Sequence, residues 1–277
     1  MGNNGKTVFD GKKAVFIGNS LIFFGGIVEP VDQRRPNNGI FKRLCTANGD
    51  DTEVINCTYG GHHLRDFTPD GCKRDDDHKG EDILAGIDFE GMDYVFFSES
   101  GDNNPDFLAD SEAVMKRFPN PKTKFAYLCH SYSHFKGHTN ITDNLPALKE
   151  RGVLVIDWGR MVYDIATGAA QVPGARLTYN KETFINAVGR DYHHPNPLAG
   201  YLAAQMCRCA FTGESAVGQD YGVTKNMTYG GKTATFDEYA EKFYDDPGCT
   251  NFREVFASAE DMRGLQILVD RYAGLWK

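Results

Sequence analysis

The chain has no run of the roughly 18 uncharged apolar residues that a helix needs to cross a bilayer, which excludes a helical membrane span. Clustered basic residues are missing too. Against 38 Asp and Glu stand only 30 Lys and Arg, a net charge of -8. Nucleic-acid binding through phosphate neutralisation is therefore not expected, and an anionic membrane surface would repel the chain weakly. The opening stretch Met1-Gly2-Asn3-Asn4-Gly5-Lys6 lacks the apolar core of a secretion signal, so the expected address is cytoplasmic. Zinc-ligand spacing is absent: of seven cysteines, Cys207 and Cys209 lie two apart with no matching second pair. The cysteines read as reduced core residues. Gly230-Gly231-Lys232-Thr233 has neither the earlier glycine nor the preceding strand of a phosphate-binding loop, and reads as a turn. There is no internal repeat and no low-complexity tract.

What is present is the composition of a globular protein, 41% hydrophobic and 25% charged over 277 residues, enough for a large core. Apolar runs alternate with amphipathic ones. Strands are predicted over 14–17, 53–57, 92–97, 124–129 and 153–156. Helices are predicted over 37–47, 107–118, 145–150 and 197–211, the last with Pro197 in its opening turn. That alternation implies parallel strands, right-handed crossovers and a layered α/β sheet. Residues 212–277 show helical patterns near 236–243 and 261–275 and no strand run. They read as a helical C-terminal appendage packed on a domain spanning 1–211, serving as a lid or as a homo-oligomer contact.

In such a sheet, sites form where the carboxyl ends of strands meet loops. Val15-Phe16-Ile17-Gly18-Asn19-Ser20-Leu21 is an apolar strand that stops at a loop presenting Ser20. Asp191-Tyr192-His193-His194-Pro195 places an acid three residues before a histidine. A serine hydroxyl needs a base, and the base needs a fixed tautomer. Ser20, His194 and Asp191 can fill those three roles. His193 is the rival imidazole, and its spacing from Asp191 is the poorer one. The oxyanion of acyl transfer needs N–H donors. The candidates are the Ser20 backbone, a glycine of Gly60-Gly61, and the Asn103 amide in Gly101-Asp102-Asn103-Asn104.

These segments together resemble the SGNH hydrolases, the GDSL esterase/lipase superfamily named for Ser, Gly, Asn and His in four blocks. Gly18-Asn19-Ser20-Leu21 resembles the first block, with Asn19 where the family has Asp. Asn56 to Gly61 resembles the second and makes Gly61 its glycine. Gly101-Asp102-Asn103-Asn104 resembles the third, with Asn104 replacing Asp. Asp191 to Pro195 resembles the last. The blocks run in order between residues 14 and 204, and the Gly-Asn-Ser start resembles a poorly characterised bacterial branch in which the third block is often degenerate. There, a polar group of Ser98-Glu99-Ser100 stands ready to replace the Asn. The resemblance implies a flavodoxin-like three-layer α/β/α sandwich with a mostly parallel five-stranded sheet. It further implies hydrolysis without metal or other cofactor, and small-molecule esters such as carbohydrate O-acetyl or lipid esters as substrates.

Blander readings stand beside these. Ser20 after a strand is also a good helix N-cap, and Asn103-Asn104 before Pro105 also shapes a loop. Asp75-Asp76-Asp77-His78 reads as a solvated charged loop. His130, His134 and His138 recur every fourth residue, a metal-site spacing on a helix, but intervening Ser131, Ser133 and Gly137 favour a loop at the cleft. His62-His63, Phe23, Phe24, Tyr59, Tyr132 and Phe135 lie near the same loops, as cleft lining, sugar-stacking platforms or core. The expectation is a serine esterase. The rivals are a noncatalytic carbohydrate- or ligand-binding module on the same fold, and a metal-dependent hydrolase built on 130–138.

Overall fold

Every residue of the first strand after Lys13 is buried, and a strand covered on both faces must be apolar on both. Ala14-Val15-Phe16-Ile17 meets that demand. The computed structural model describes residues 6–30, 34–71, 82–185, 193–229, 232–238 and 251–275. In it, β1 (Lys13–Gly18) is flanked by β2 (Glu53–Thr58) and β3 (Tyr94–Phe97), followed by β4 (Lys124–Leu128) and β5 (Leu154–Ile156). All pairings are parallel, and the five strands lie in the order β2-β1-β3-β4-β5. The register sets Phe16 beside Asn56 on one side and Phe96 on the other.

Strand alternation divides the core into two layers. Ala14, Phe16, Phe96 and Leu128 point into one apolar cluster, and Val15, Ile17, Val95 and Tyr127 into the other. The first cluster is closed by α2 (Ile40–Ala47), α7 (Trp158–Thr167) and α8 (Pro197–Thr212); the second by α3 (Phe107–Met115) and α6 (Leu145–Glu150). Phe16 stacks on Phe96 at 4.5 Å between ring centres, and Phe41 of α2 meets both edge-on at 5.2 Å. This is the three-layer α/β/α sandwich expected from the sequence.

The expected elements sit within a few residues of their predicted bounds. Helix 37–47 starts at Ile40, behind Gly39 as N-cap, and helix 107–118 ends at Met115. Helix α7 had no counterpart in the sequence reading, although Trp158, Met161, Val162 and Ile165 follow helical spacing and are buried. Asp157 caps its start by accepting from Arg160 N, and Gly168 ends it. The tail differs as well. No strand was expected there, yet Met227–Tyr229 and Lys232–Ala234 pair as antiparallel strands, while Gly230-Gly231 of the expected turn lie outside the described residues. The helix expected at 236–243 lies partly outside the described residues, and the acidic stretch 75–78, expected as a loop, lies wholly outside them. Helices Phe252–Ala257 and Ala259–Tyr272 put Phe252, Val255, Met262, Leu265 and Val269 into the first apolar cluster.

One contact fixes the two ends of the sheet domain together. A Cβ built on Gly200, in α8, would stand 1.8 Å from the carbonyl oxygen of Gly25, and one on Gly25 would stand 2.8 Å from Gly200 Cα. Only glycines allow backbones that close. Gly200→Ala should gain up to about 1 kcal/mol of helix propensity. It should lose more, about 1–3 kcal/mol, to overpacking against a backbone that cannot rotate away. A thermal melt should show a Tm lower by roughly 2–8 °C. An unchanged or higher Tm would show that these segments part without cost.

Candidate active site

The turn out of β1 gives Ser20 its setting. Asn19, not Ser20, caps α1 (Ser20–Phe23): its Oδ1 accepts from Leu21 N at 3.0 Å. Its Nδ2 donates to the His62 carbonyl at 3.0 Å, tying the loop after β2 to the loop after β1. With the cap supplied next door, the Ser20 hydroxyl turns to another partner. Ser20 Oγ lies 2.8 Å from His194 Nε2, across 174 positions of sequence. The histidine is held from both sides. Phe24 packs on its ring at 4.3 Å between centres. Just beyond it, Asn196 caps α8 by accepting from Leu198 N and Ala199 N, while its Nδ2 donates to the Thr183 carbonyl at 2.8 Å.

A cavity of about 390 Å³ opens over this pair, lined by Asn19, Ser20, Leu21, Gly61, His63, Ser100, Gly101, Asp102, Tyr132, His193 and His194. Its walls come from the loops after β1, β2, β3 and β4 and from the residues before α8, the carboxyl edge of the sheet. Gly61 adopts φ +76°, a left-handed conformation natural to glycine, and a Cβ there would meet nothing within 4 Å. Its backbone is thus open to the cavity.

The other expected site residues are distributed differently. Asp191 lies outside the described residues. Asn103 is exposed and does not line the cavity. Its Oδ1 accepts from Asn140 N at 2.8 Å, and its carbonyl accepts from Asn140 Nδ2 at 3.0 Å, so it is turned toward α5 (Thr139–Thr142). The next residue turns inward instead: Asn104 Nδ2 donates to Glu99 Oε2 at 2.6 Å. The three spaced histidines lie on helix ends rather than in a loop: His130 immediately precedes the helix Ser131–Lys136, His134 is in its last turn, His138 immediately precedes α5, and none of the three lines the cavity.

A buried polar cluster behind the cavity was not read from the sequence as a unit. Glu99, two residues after the end of β3, is fully buried. Its carboxylate accepts from Leu64 N at 3.1 Å, Ser100 N at 2.6 Å and Asn104 Nδ2 at 2.6 Å, with His63 Nδ1 at 3.6 Å. Burial pushes its pKa up, but the hydrogen bonds together hold it below the ordinary carboxylate value. His63 is raised in turn, chiefly by Glu99 against the opposing effect of burial, with Asp102 Oδ2 at 3.5 Å from Nε2 adding to it. The sequence signal was a carboxylate two residues after the buried strand Tyr94-Val95-Phe96-Phe97, where only a satisfied charge can be buried.

One group among the described residues has ligand atoms close enough to share a metal: Cys129, His134 and Asp157. His134 Nε2 is 2.7 Å from Asp157 Oδ1 and 3.7 Å from Cys129 Sγ. Asp157 Oδ1 is also the acceptor that caps α7. The trio is therefore already bonded within itself, and it lies apart from the residues lining the serine cavity.

No protein-family model matches the chain, and no curated protein does. Solved structures do. A protein from Slackia heliotrinireducens assigned to the SGNH hydrolases shares 16% identity over 70% of this chain and 95% of its own, with a TM-score of 0.37. A carbohydrate esterase, described as having an active site with divergent catalytic and non-catalytic binding functions, shares 13% over 78% and 67%, with a TM-score of 0.43. The YxiM protein from Bacillus subtilis shares 15% over 70% and 54%, at 0.39. Likenesses this distant leave the reaction open. The parallel sheet carries Ser20 two residues after the end of β1 and His194 three residues before the start of α8.

The His63–Glu99 pair has a pH window. Its histidine, raised above an ordinary value of 6.5, lends stability in full below that value and loses it as pH rises through the folded value. Its glutamate, lowered from 4.5, lends stability above that value and loses it as pH falls through the folded value. Melts of the wild type and His63→Asn should therefore differ most between about pH 5 and 6.5, and the difference should shrink as pH rises through the folded value of His63. A difference constant across that range would show that His63 carries no charge in the folded state.

Proposed function

We propose that the protein is a serine esterase acting on a small acyl ester, such as a carbohydrate O-acetyl or short-chain lipid ester. The observation that carries this reading is the 2.8 Å contact between Ser20 Oγ and His194 Nε2 in the floor of an open cavity. A histidine that meets the serine through Nε2 keeps Nδ1 for an orienting carboxylate, and Asp191 is the proposed one. His194 takes the hydroxyl proton as Ser20 Oγ attacks the ester carbonyl. The tetrahedral oxyanion is received by the N–H groups of Ser20, at the first turn of a helix, and of Gly61, whose backbone is open to the cavity. His194 then protonates the leaving alcohol. In the second half it draws a proton from water, which attacks the acyl–serine, and returns that proton to Ser20 Oγ as the Oγ–acyl bond breaks and the acid is freed.

The cavity, about 390 Å³, suits an acyl group and part of an alcohol more than a long chain. A noncatalytic ligand-binding role on the same framework is favoured by one observation: Asn103, expected as a third oxyanion donor, is turned away toward Asn140. The same experiment separates the readings. The wild type should hydrolyse p-nitrophenyl acetate and be labelled by a serine-directed phosphonate. Ser20→Ala should lose at least about 10³-fold in kcat and all labelling, with an unchanged circular dichroism spectrum. A wild type that neither turns over nor labels would leave the binding module; full turnover by Ser20→Ala would move the nucleophile elsewhere.

A further inference from the structure

The polar walls of the cavity converge on Ser100, and each of its polar atoms is held. Its N–H donates to Glu99 Oε1 at 2.6 Å. Its carbonyl accepts from His130 Nε2 at 3.2 Å, and the Glu99 carbonyl lies at the same distance from that nitrogen. Carbonyls only accept, so Nε2 of His130 carries the proton. Burial pushes the His130 pKa down to about 4, which keeps the ring neutral and this tautomer fixed. The Ser100 hydroxyl, finally, lies 2.6 Å from His63 Nδ1. With the backbone pinned, what remains variable is the direction of the hydroxyl hydrogen, and His63 sets it. If Nδ1 carries a proton it donates to Ser100 Oγ, and the hydroxyl hydrogen must point elsewhere. Ser100 lines the cavity with Ser20 and Gly61, so the cavity is available to it. If Nδ1 is bare, the hydroxyl donates to it and offers the cavity a lone pair instead.

We propose that Ser100, oriented by a protonated His63, is the third donor to the carbonyl oxygen of the ester that Ser20 attacks. This rests on the esterase reading above. As the Ser20 Oγ–carbon bond forms, the carbonyl π pair moves onto oxygen, and three donors receive it: the N–H groups of Ser20 and Gly61 and the hydroxyl of Ser100. Ser100 transfers no proton. The same hydrogen bond is released when the carbonyl re-forms and the alcohol leaves with the proton from His194. The position left by Asn103 is thereby filled from the strand end just before it.

The groups facing His63 favour its charged form on balance. Glu99 lies behind it and Asp102 beside Nε2, at 3.6 and 3.5 Å. Arg65, on the 3-10 turn that follows His63, opposes them. Across the cavity stand His193, His194 and, from α4 (Ser131–Lys136), Tyr132. His63 is raised above its ordinary value, so its donor form persists to higher pH than that of an isolated imidazole.

The test is the pH profile of p-nitrophenyl acetate hydrolysis by the wild type, Ser20→Ala, Ser100→Ala, Ser100→Thr and His63→Asn. Ser100→Ala should lower kcat about 10²- to 10³-fold, the loss seen for one oxyanion donor, with KM changed less than about threefold. Ser100→Thr, which keeps the hydroxyl, should recover most of it. The wild-type kcat should fall at alkaline pH as His63 deprotonates. His63→Asn places a donor that does not titrate near Nδ1, and that alkaline limb should vanish. If Ser100→Ala folds poorly, the threonine variant and the His63→Asn profile decide alone. Activity of Ser100→Ala within twofold of wild type, or an alkaline limb unchanged in His63→Asn, overturns the proposal. If Ser20→Ala is inactive and Ser100→Ala is not, only this inference falls; if the wild type has no turnover, the esterase reading falls and takes it along.

Discussion

The site depends on the backbone contact between Gly25 and Gly200. Ser20 and His194 belong to segments that nothing in the local chain brings together, and their hydrogen bond alone is far too weak to do it. A neutral side-chain hydrogen bond contributes about 1 kcal/mol net, less than the entropy of ordering the residues that carry it. What sets the distance is packing that would exist without any chemistry. The turn after α1 rests on the first turn of α8 with no side chain between them. Phe24, one residue before Gly25, closes on the His194 ring, and Asn196 fixes where α8 begins. Ser20 and His194 are therefore neighbours because two backbones are.

Much of this was legible in the sequence because it is written in local patterns. A strand buried on both faces leaves an uninterrupted apolar run, and Val15-Phe16-Ile17 ending at Gly18-Asn19-Ser20 announces both the strand and the exposed turn. Helix α8 is announced by Pro197 and an apolar stretch. The pairing of Ser20 with His194 followed from the order of the blocks. The third block was not legible, because Asn103 and Asn104 look alike in sequence and face opposite ways in space. The first bonds a helix on the surface and the second a buried carboxylate. Nothing local specifies which asparagine turns inward; Glu99, five positions earlier, does. Helix α7 went unread although its spacing is regular, and it carries Gly159 in its first turn. Gly159 is there because a Cβ would meet the His130 carbonyl carbon at 2.2 Å, a close approach visible only in three dimensions.

Glu99 is the most demanding residue of the site. An isolated carboxylate in an apolar interior is costly by many kcal/mol, and such groups survive only when fully satisfied. Glu99 binds the N–H groups of Leu64 and Ser100 and the amide of Asn104, so it joins the loop after β2, the end of β3 and the turn before α3. Those are the segments that carry Gly61, His63 and Ser100. A buried charge of this kind fixes loops that have no apolar contacts of their own to hold them, which is what a preorganised site requires.

The C-terminal segment fits the same logic. None of its described residues lines the serine cavity. Its buried polar groups reach instead to the chain that leads into the histidine loop. Asp261 accepts from Arg176 N, Leu177 N and the Tyr179 hydroxyl. Asn251 accepts from the Thr183 hydroxyl and donates to the Thr178 carbonyl. The Thr183 carbonyl in turn accepts from Asn196, the cap next to His194. A chain of hydrogen bonds thus runs from the last two helices through 176–185 to the start of α8. With Met262, Leu265 and Val269 in the same apolar cluster as Phe16 and Phe96, the tail braces the histidine side of the site as the Gly25–Gly200 contact braces it from the serine side. Its buried acids thus join its packing to the segment that positions His194.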